Sequence, residues 1–551
     1  MTVPKRVLIV GGVAGGASCA ARLRRLDESI EIIVFDRGPF VSFANCGLPY
    51  YVGNVIPKEE DLLVATPELF RRYFNIEVRT LNEVIAIDPG GRRIRVHDAH
   101  SGRTYWESYD ALVLAPGAAP VKPDFDGVDH PAVHVLRTIP DSRKIRRWVA
   151  ERKPHRAVVA GGGFIGLEMT ENLVNLGLQV TLVEMEEHLL PPFDPEMAEP
   201  IARHLESKKI RVELGRKVVG LETAGESEVV VRTETGARYP AGLVILALGV
   251  KPETKLAREA GLEIGALGGI RVDEAMRTSD PHIWAVGDAV EVRDYVTGGW
   301  CLAPLAGPAN RQGRIAAASI AGREARFRGV QGTAICACLG ITAALTGATE
   351  KRLREAGWTD YEKIYVHPGS HAGYYPGAKR IQMKLIFSKR DGRVLGAQAV
   401  GEEGVDKRID VIAEAIQKGA TVFDLEEAEL CYAPQFGAAK DPVNLAGMVA
   451  ANVLRGDLPL ADWTKLDDTD AFLLDVRTRD EFLRDHIEGA VNIPIWELRE
   501  RYAELPKDRE IWVSCAVGQR SYYAVRFLLQ KGYKARQLSG GILTYYGYNP
   551  L

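Results

Sequence analysis

The sequence predicts an α/β protein of several domains: two doubly wound βαβ units, then a mixed α+β segment, then a small C-terminal α/β domain. Three observations predict this. A chain of 551 residues is too long for one core, so three or four domains are expected. Two apolar runs, Val7-Leu8-Ile9-Val10 and Ala157-Val158-Val159-Ala160, pass directly into glycines, as buried parallel strands entering a helix do. After a linker at Leu454-Arg455-Gly456-Asp457-Leu458-Pro459-Leu460, a fresh strand pattern begins at Phe472-Leu473-Leu474-Asp475-Val476-Arg477.

The first unit carries Gly11, Gly12 and Gly16, with Val13 in the middle place, and its second strand, Ile32-Ile33-Val34-Phe35, ends in Asp36. The second unit carries the full triplet Gly161, Gly163 and Gly166, and Val180-Thr181-Leu182-Val183 ends in Glu184. Gly161 permits the turn, Gly163 lets a pyrophosphate approach the backbone, and Gly166 allows close helix–strand packing. Each acid lies about 20 residues past its glycines, where a carboxylate meets a ribose hydroxyl. Two such units predict dinucleotide binding. Glu184 would repel a 2′-phosphate, and Met185, Glu186 and Glu187 bring no arginine, so NADH is favoured, with NADPH possible through His188. Further on, Arg380–Phe387 reads as a strand and Asp410–Lys418 as a helix.

Composition narrows the function classes. The hydrophobic share of 46% and charged share of 26% are those of a soluble globular protein. A net charge of −3 gives no pull towards nucleic acid or an anionic membrane. No apolar run reaches the roughly 18 residues of a membrane span, and the N-terminus enters a strand without room for a signal peptide. Seven scattered cysteines make no disulfide framework, so a reducing cytoplasmic location is expected, where a reactive thiol is catalytic rather than structural. Cys336 and Cys338 share one face of a strand and read as core, as does Cys19 on the first helix; no zinc or iron–sulfur spacing occurs and no metal is expected. Cys46 differs. Asn45 and Gly47 flank it, which suits no apolar slot, and a helix starting after it would favour the thiolate.

These motifs, with Thr278-Ser279-Asp280-Pro281-His282-Ile283-Trp284-Ala285-Val286-Gly287-Asp288 in the same order, resemble the flavoprotein disulfide reductase superfamily over roughly residues 5–450. The resemblance implies Rossmann-like FAD-binding (1–150 and 278–325) and NAD(P)H-binding (151–277) domains, then an α+β dimerisation domain (326–452). It implies FAD on the first unit, with Asp288 at the ribityl chain, and the reduced nicotinamide on the second. Many members carry a second cysteine five places on, where Tyr51 stands here. Cys46 therefore works by mixed disulfide, persulfide or sulfenic acid.

Ser42-Phe43-Ala44-Asn45-Cys46-Gly47-Leu48-Pro49-Tyr50-Tyr51 is similar to coenzyme A disulfide reductases, a single-cysteine branch. That likeness implies coenzyme A contacts at Arg22, Arg25, Ser42, Asn45 and Lys440, the two arginines lying on one helix face. It implies that Tyr432 and Tyr374, preferred over Tyr375, approach the cysteine from the other subunit of a homodimer, where a phenol can donate to a leaving thiolate.

Residues 463–551 resemble a rhodanese domain, through Asp475-Val476-Arg477, Glu481-Phe482, His486-Ile487-Glu488-Gly489-Ala490-Val491-Asn492-Ile493-Pro494 and the loop Cys515-Ala516-Val517-Gly518-Gln519-Arg520. The strand Ile511-Trp512-Val513-Ser514 delivers Cys515 to a tight loop whose inward N–H groups form an anion nest. Arg520 and the next helix add positive charge. The loop is one residue shorter than related phosphatase loops, which favours sulfur transfer. Together the resemblances imply an NADH-dependent flavoenzyme that reduces sulfane sulfur on coenzyme A or polysulfide and releases hydrosulfide, the rhodanese domain delivering sulfur. Small thiols and persulfides are its expected partners. The alternatives are a coenzyme A disulfide reductase that maintains cellular thiols, and an NADH oxidase or peroxidase.

Overall fold

The computed structural model describes residues 5–549; the leader-free start expected at residues 1–4 lies outside them. The chain forms two compact units, one of residues up to 185 with 216–330, the other of 186–215 with 331 onward.

In the first unit, five parallel strands lie in the order Ile283–Ala285, Ala111–Leu114, Arg6–Val10, Glu31–Asp36, Glu77–Thr80. The two central strands are apolar at almost every position because both faces of the sheet are covered. The helix Ala14–Leu26 packs on Ala306–Ile320, and a Cβ on Gly313 would fall 2.3 Å from Gly15 O, so small residues set this close approach. A second parallel sheet contains Gln179–Val183, Arg156–Ala160, Leu243–Leu246 and Val133–His134 in adjacent order. Both parallel sheets are doubly wound α/β units, as the glycine-terminated runs predict.

The second unit holds a five-stranded antiparallel sheet ordered Ala334–Cys338, Ile341–Gly347, Val394–Gly401, Ile381–Ser388, Tyr361–Val366. Cys336 and Cys338 alternate into its core. The helices Val405–Lys418 and Pro442–Leu454 pack on this sheet, as does Pro195–Ser207 from the 186–215 segment. The C-terminal sheet is parallel, ordered Leu460–Ala461, Ala535–Leu538, Ile511–Ser514, Phe472–Asp475, Val491–Asn492. Its last helix, Ile542–Tyr548, rests on Pro195–Ser207.

A charged network is buried where these elements meet. Lys384 Nζ lies 2.7 Å from Asp194, 2.5 Å from Glu196 and 2.6 Å from Glu350, with all four side chains buried. The three carboxylates converge closely enough to hold a cation, and the lysine ammonium fills that place. Tyr365 Oη joins the network by donating to Glu196 at 2.7 Å and pairing with Tyr548 Oη at 2.7 Å. No helix among the described residues is long and apolar enough to cross a membrane.

Candidate active sites

Cys46 sits in a 3₁₀ turn, Asn45–Gly47, that runs into the short helix Leu48–Val52. The backbone before it is fixed by Ser42, which has φ +47°, donates its N–H to Gly12 O at 2.8 Å and accepts from Val64 N at 2.9 Å. The thiol is free and exposed. The helix expected after it is present, yet the expected favouring of the thiolate is not. Though exposed, the thiol is partly desolvated by the surrounding protein, which raises it, and the carboxylates of Glu168 and Asp288 raise it further, against Arg137.

Two residues here escaped the sequence reading. Arg137 reaches Asp288 Oδ2 at 3.3 Å and, with the Asn45 amide oriented to satisfy both its neighbours, donates to the Asn45 oxygen at 3.3 Å. No local pattern marks it. Glu168 lies on the helix Phe164–Asn175, which packs on Leu48–Val52. Burial and then the charge of Glu171 push its carboxyl up to about 7, against a hydrogen bond from Tyr50. An acid one turn into a helix opened by a glycine triplet was the available signal.

The two glycine turns have the shape a dinucleotide needs. Gly11 takes φ +92°, and a Cβ there would lie 2.1 Å from Ala115 O. A Cβ on Gly166 would meet Gly161 O at 1.9 Å, so that helix must start with glycine against its strand. Gly163 has nothing within 4 Å of its Cβ position, leaving open the space a pyrophosphate would take at the helix start. Asp36 accepts from Gly12 N at 3.0 Å, and Glu184 accepts from Gly162 N at 2.5 Å. Burial raises the Asp36 carboxyl, and the same is true of Asp288. The residues present fit FAD on the first turn, with Gly16 against Gly11, and a nicotinamide dinucleotide on the second.

Arg22 is half-buried and Arg25 exposed on Ala14–Leu26. The charges acting on Arg22 are all positive, from Arg314, Arg25 and Arg323, and with desolvation they lower its proton affinity. Such a set suits a phosphorylated ligand. Arg314 and Arg323 were not foreseen, since they come from distant sequence. Arg71 and Arg72, also near this part of the chain, are spent on Glu68.

In the second unit, Tyr374 and Tyr432 share a hydroxyl–hydroxyl hydrogen bond of 2.5 Å, both rings exposed. Their loops are joined where Ala372 N donates to Gly437 O at 2.8 Å, beneath which the buried Arg408 bridges Ser370 O and Asp441. Tyr375 turns instead onto His371, edge to face. Lys440 is exposed beside the capping residue Asp441.

Cys515 lies at the carboxyl end of Ile511–Ser514, fully buried, in a loop that ends in the helix Gln519–Gln530. Gly518, with φ +94°, turns its N–H onto the sulfur at 3.2 Å, and Ser521 Oγ lies 3.4 Å away. Arg520 makes no hydrogen bond to the sulfur. Its guanidinium grips Glu481 with two bonds of 2.6 and 2.7 Å, holding that carboxyl at about 2. Arg477 is similarly held by Asp475 and Asp485. The arrangement cradles one sulfur with a backbone donor and a hydroxyl, within the electrostatic reach of Arg520, itself paired with Glu481.

Residues 5–325 match the pyridine nucleotide-disulphide oxidoreductase family, 333–441 its dimerisation domain, and 461–547 the rhodanese-like domain. The crystal structure of reduced CoADR-RHD from Bacillus anthracis superposes with a TM-score of 0.96 at 44% identity, covering 99% of this chain and 98% of that one. The NAD-dependent persulfide reductase from A. fulgidus superposes with a TM-score of 0.91 at 39% identity, covering 98% and 100%. A Methanocaldococcus jannaschii protein named NADH oxidase is 37% identical over 450 residues, 80% of this chain and 97% of the relative.

Proposed function

The chain belongs to the pyridine nucleotide-disulphide oxidoreductase family and ends in a rhodanese-like domain; from that premise we propose that it reduces sulfane sulfur with electrons from NADH. The observation that carries this reading is the pairing in one polypeptide of an exposed free thiol, Cys46, beside two dinucleotide cradles, and a sulfur-cradling Cys515 loop. Gly11, Gly12, Gly16, Asp36 and Asp288 would hold FAD; Gly161, Gly163, Gly166 and Glu184 would hold NADH. When bound, FAD supplies the two-electron link between the nicotinamide and Cys46.

The thiolate of Cys46 attacks the inner sulfur of coenzyme A persulfide. The S–S bond breaks, hydrosulfide leaves with its electron pair, and Cys46 and coenzyme A remain as a mixed disulfide. Two electrons then free both thiols. Arg22 and Arg25 bind the coenzyme A phosphates, with Ser42, Asn45 and Lys440 as further contacts. The hydrogen-bonded Tyr374–Tyr432 pair acts from the second subunit of a homodimer, donating to the departing thiolate. Cys515 accepts sulfur from a donor and passes it on as a persulfide.

Anaerobic NADH oxidation tests this, with polysulfide, coenzyme A persulfide and coenzyme A disulfide compared under one protocol. Faster turnover of persulfide or polysulfide, with hydrosulfide released, is expected, and C46S abolishes it. Preference for coenzyme A disulfide moves the function to thiol maintenance. Rapid consumption of oxygen or peroxide moves it to an oxidase, the name borne by the Methanocaldococcus relative.

A further inference from the structure

Cys515 is served by a donor that its own loop does not provide. Gln537 lies on the strand Ala535–Leu538, next to the strand that delivers the cysteine, and is buried. Its side-chain nitrogen faces Gly518 O and, at 2.9 Å, Ser521 Oγ. A carbonyl oxygen only accepts, so the nitrogen end of the amide must point here. One N–H then satisfies Gly518 O, and the other satisfies a lone pair of Ser521 Oγ.

Ser521 has one proton to place. Two acceptors lie within reach, Gly518 O at 3.0 Å and Cys515 Sγ at 3.4 Å. Gly518 O already accepts from Gln537 and from Tyr522 N at 3.1 Å, which fills its two lone pairs. The geometry points to Ser521 as a further catalytic residue, whose hydroxyl Gln537 orients onto the Cys515 thiolate. With the neutral thiol the bond runs from sulfur to Ser521; with the thiolate the hydroxyl turns and donates. Gly518 N supplies a second donor at 3.2 Å.

The inference rests on the reading of Cys515 as a sulfur carrier. In loading, the Cys515 thiolate attacks the sulfane sulfur of a donor such as thiosulfate; a Cys515 persulfide forms and sulfite leaves with the electron pair of the broken S–S bond. In unloading, an acceptor thiolate attacks the outer sulfur, the persulfide S–S bond breaks, and its electron pair returns to Cys515 Sγ. Both steps need the thiolate stabilised, as nucleophile and then as leaving group. A hydrogen bond to an ionised group supplies that in a site closed to water. Arg520, paired with Glu481, adds charge but no hydrogen bond to the sulfur.

The test uses the full-length flavin-loaded protein and thiosulfate. Loading of the Cys515 peptide is followed by mass spectrometry across pH 5–10 for the parent, S521A, S521T, Q537M and S521A/Q537M. In S521A the midpoint of the loading-rate profile moves up by about one pH unit and loading at pH 7 falls roughly tenfold, while half-saturation by thiosulfate changes little. S521T restores the parent profile. Q537M shifts in the same direction, since Ser521 then turns to Gly518 O, and the double variant shifts no further than S521A. An unshifted S521A profile, or additive shifts in the double variant, overturns the inference. Loading of this loop in C515S overturns instead the sulfur-carrier reading beneath it.

Discussion

Replacing Lys384 by methionine tests how the second unit is held together. The substitution keeps the volume and removes the charge, leaving three buried carboxylates around a thioether. None is left without a donor: Asp194 keeps Gln398 Nε2, Glu196 keeps Tyr365 Oη at 2.7 Å, and Glu350 keeps Lys363 at 2.8 Å. What is lost is the neutralising ammonium. The carboxylate oxygens lie within 4.8 Å of one another; at that separation two like charges repel by about 3.5 kcal/mol at an effective dielectric of 20. The site escapes by binding a proton. Protonating one glutamate at pH 7, from its ordinary value near 4.5, costs about 3.4 kcal/mol. The expected loss is therefore about 3–4 kcal/mol at pH 7, in the range for a buried pair stripped of one partner.

The pH dependence of that loss carries the test. In the parent, burial raises Glu350 but the Lys384 and Lys363 ammonium groups prevail and hold it at about 2. Its contribution is present above the unfolded value and is lost as pH falls from about 4.5 towards 2. In K384M the sign reverses: the carboxyls are raised, and stability is lost as pH rises. The deficit thus shrinks by about 1.4 kcal/mol per pH unit between pH 7 and 4.5. Urea unfolding at several pH values, with hydrogen exchange in the helix Ile542–Tyr548 as the local readout, measures it. A deficit below about 1 kcal/mol at pH 7, or one that does not change with pH, refutes the reasoning. Adding E196Q to K384M should recover about half of the loss.

Four more variants, all in the first unit, have expected outcomes. Since the Glu168 carboxyl is raised to about 7 and its charge opposes Cys46 ionisation, E168Q should lower the midpoint of Cys46 alkylation by about half a pH unit and remove an inflection near pH 7. A raised carboxyl loses stability as pH climbs through its folded value, so E168Q should also gain up to about 3 kcal/mol above pH 7, read by urea unfolding. G166A, whose Cβ would lie 1.9 Å from Gly161 O, should cost about 1–3 kcal/mol in the same assay; G163A, with nothing within 4 Å, should fold normally and weaken NADH binding in a fluorescence titration. R22A should raise KM for coenzyme A disulfide roughly tenfold with kcat little changed, as loss of uniform binding does.

Much of the fold was legible because its signals are local. Apolar strands that end in glycines mark parallel sheets, since only a sheet covered on both faces needs apolar residues at every position. The acids closing the second strands are equally local, and Asp36 and Glu184 both stand against glycine N–H groups at the expected turns. The tyrosines came from the resemblance alone; Tyr374 and Tyr432 share a 2.5 Å hydroxyl bond, and Tyr375 packs on His371. What stayed hidden depends on which distant residues become neighbours. Arg137 lies 91 positions from Cys46 in sequence and enters that site only through tertiary packing. The thiol is raised by burial and by carboxylates that a helix-dipole argument never counts.

In the Cys515 loop the motif's arginine has two neighbours to serve. An arginine closing a cysteine loop suggests a cation for the sulfur, and the sequence placed Arg520 in that role. Glu481, 39 residues earlier, bonds both of its terminal nitrogens, while its charge still acts on Cys515. The pair then serves as a brace, tying the start of the helix Gln519–Gln530 to the Arg479–Arg484 turn, while a neutral hydroxyl and a backbone N–H meet the sulfur. Such a site suits a singly charged persulfide better than a multiply charged oxyanion. A phosphate would need net positive charge, which the Arg520–Glu481 pair does not supply, whereas a thiolate needs one or two well-aimed protons. Gln537, buried between the exposed Arg536 and the buried Leu538, was the signal that a polar task lay there, because an unpaired amide in that core would cost more than any leucine.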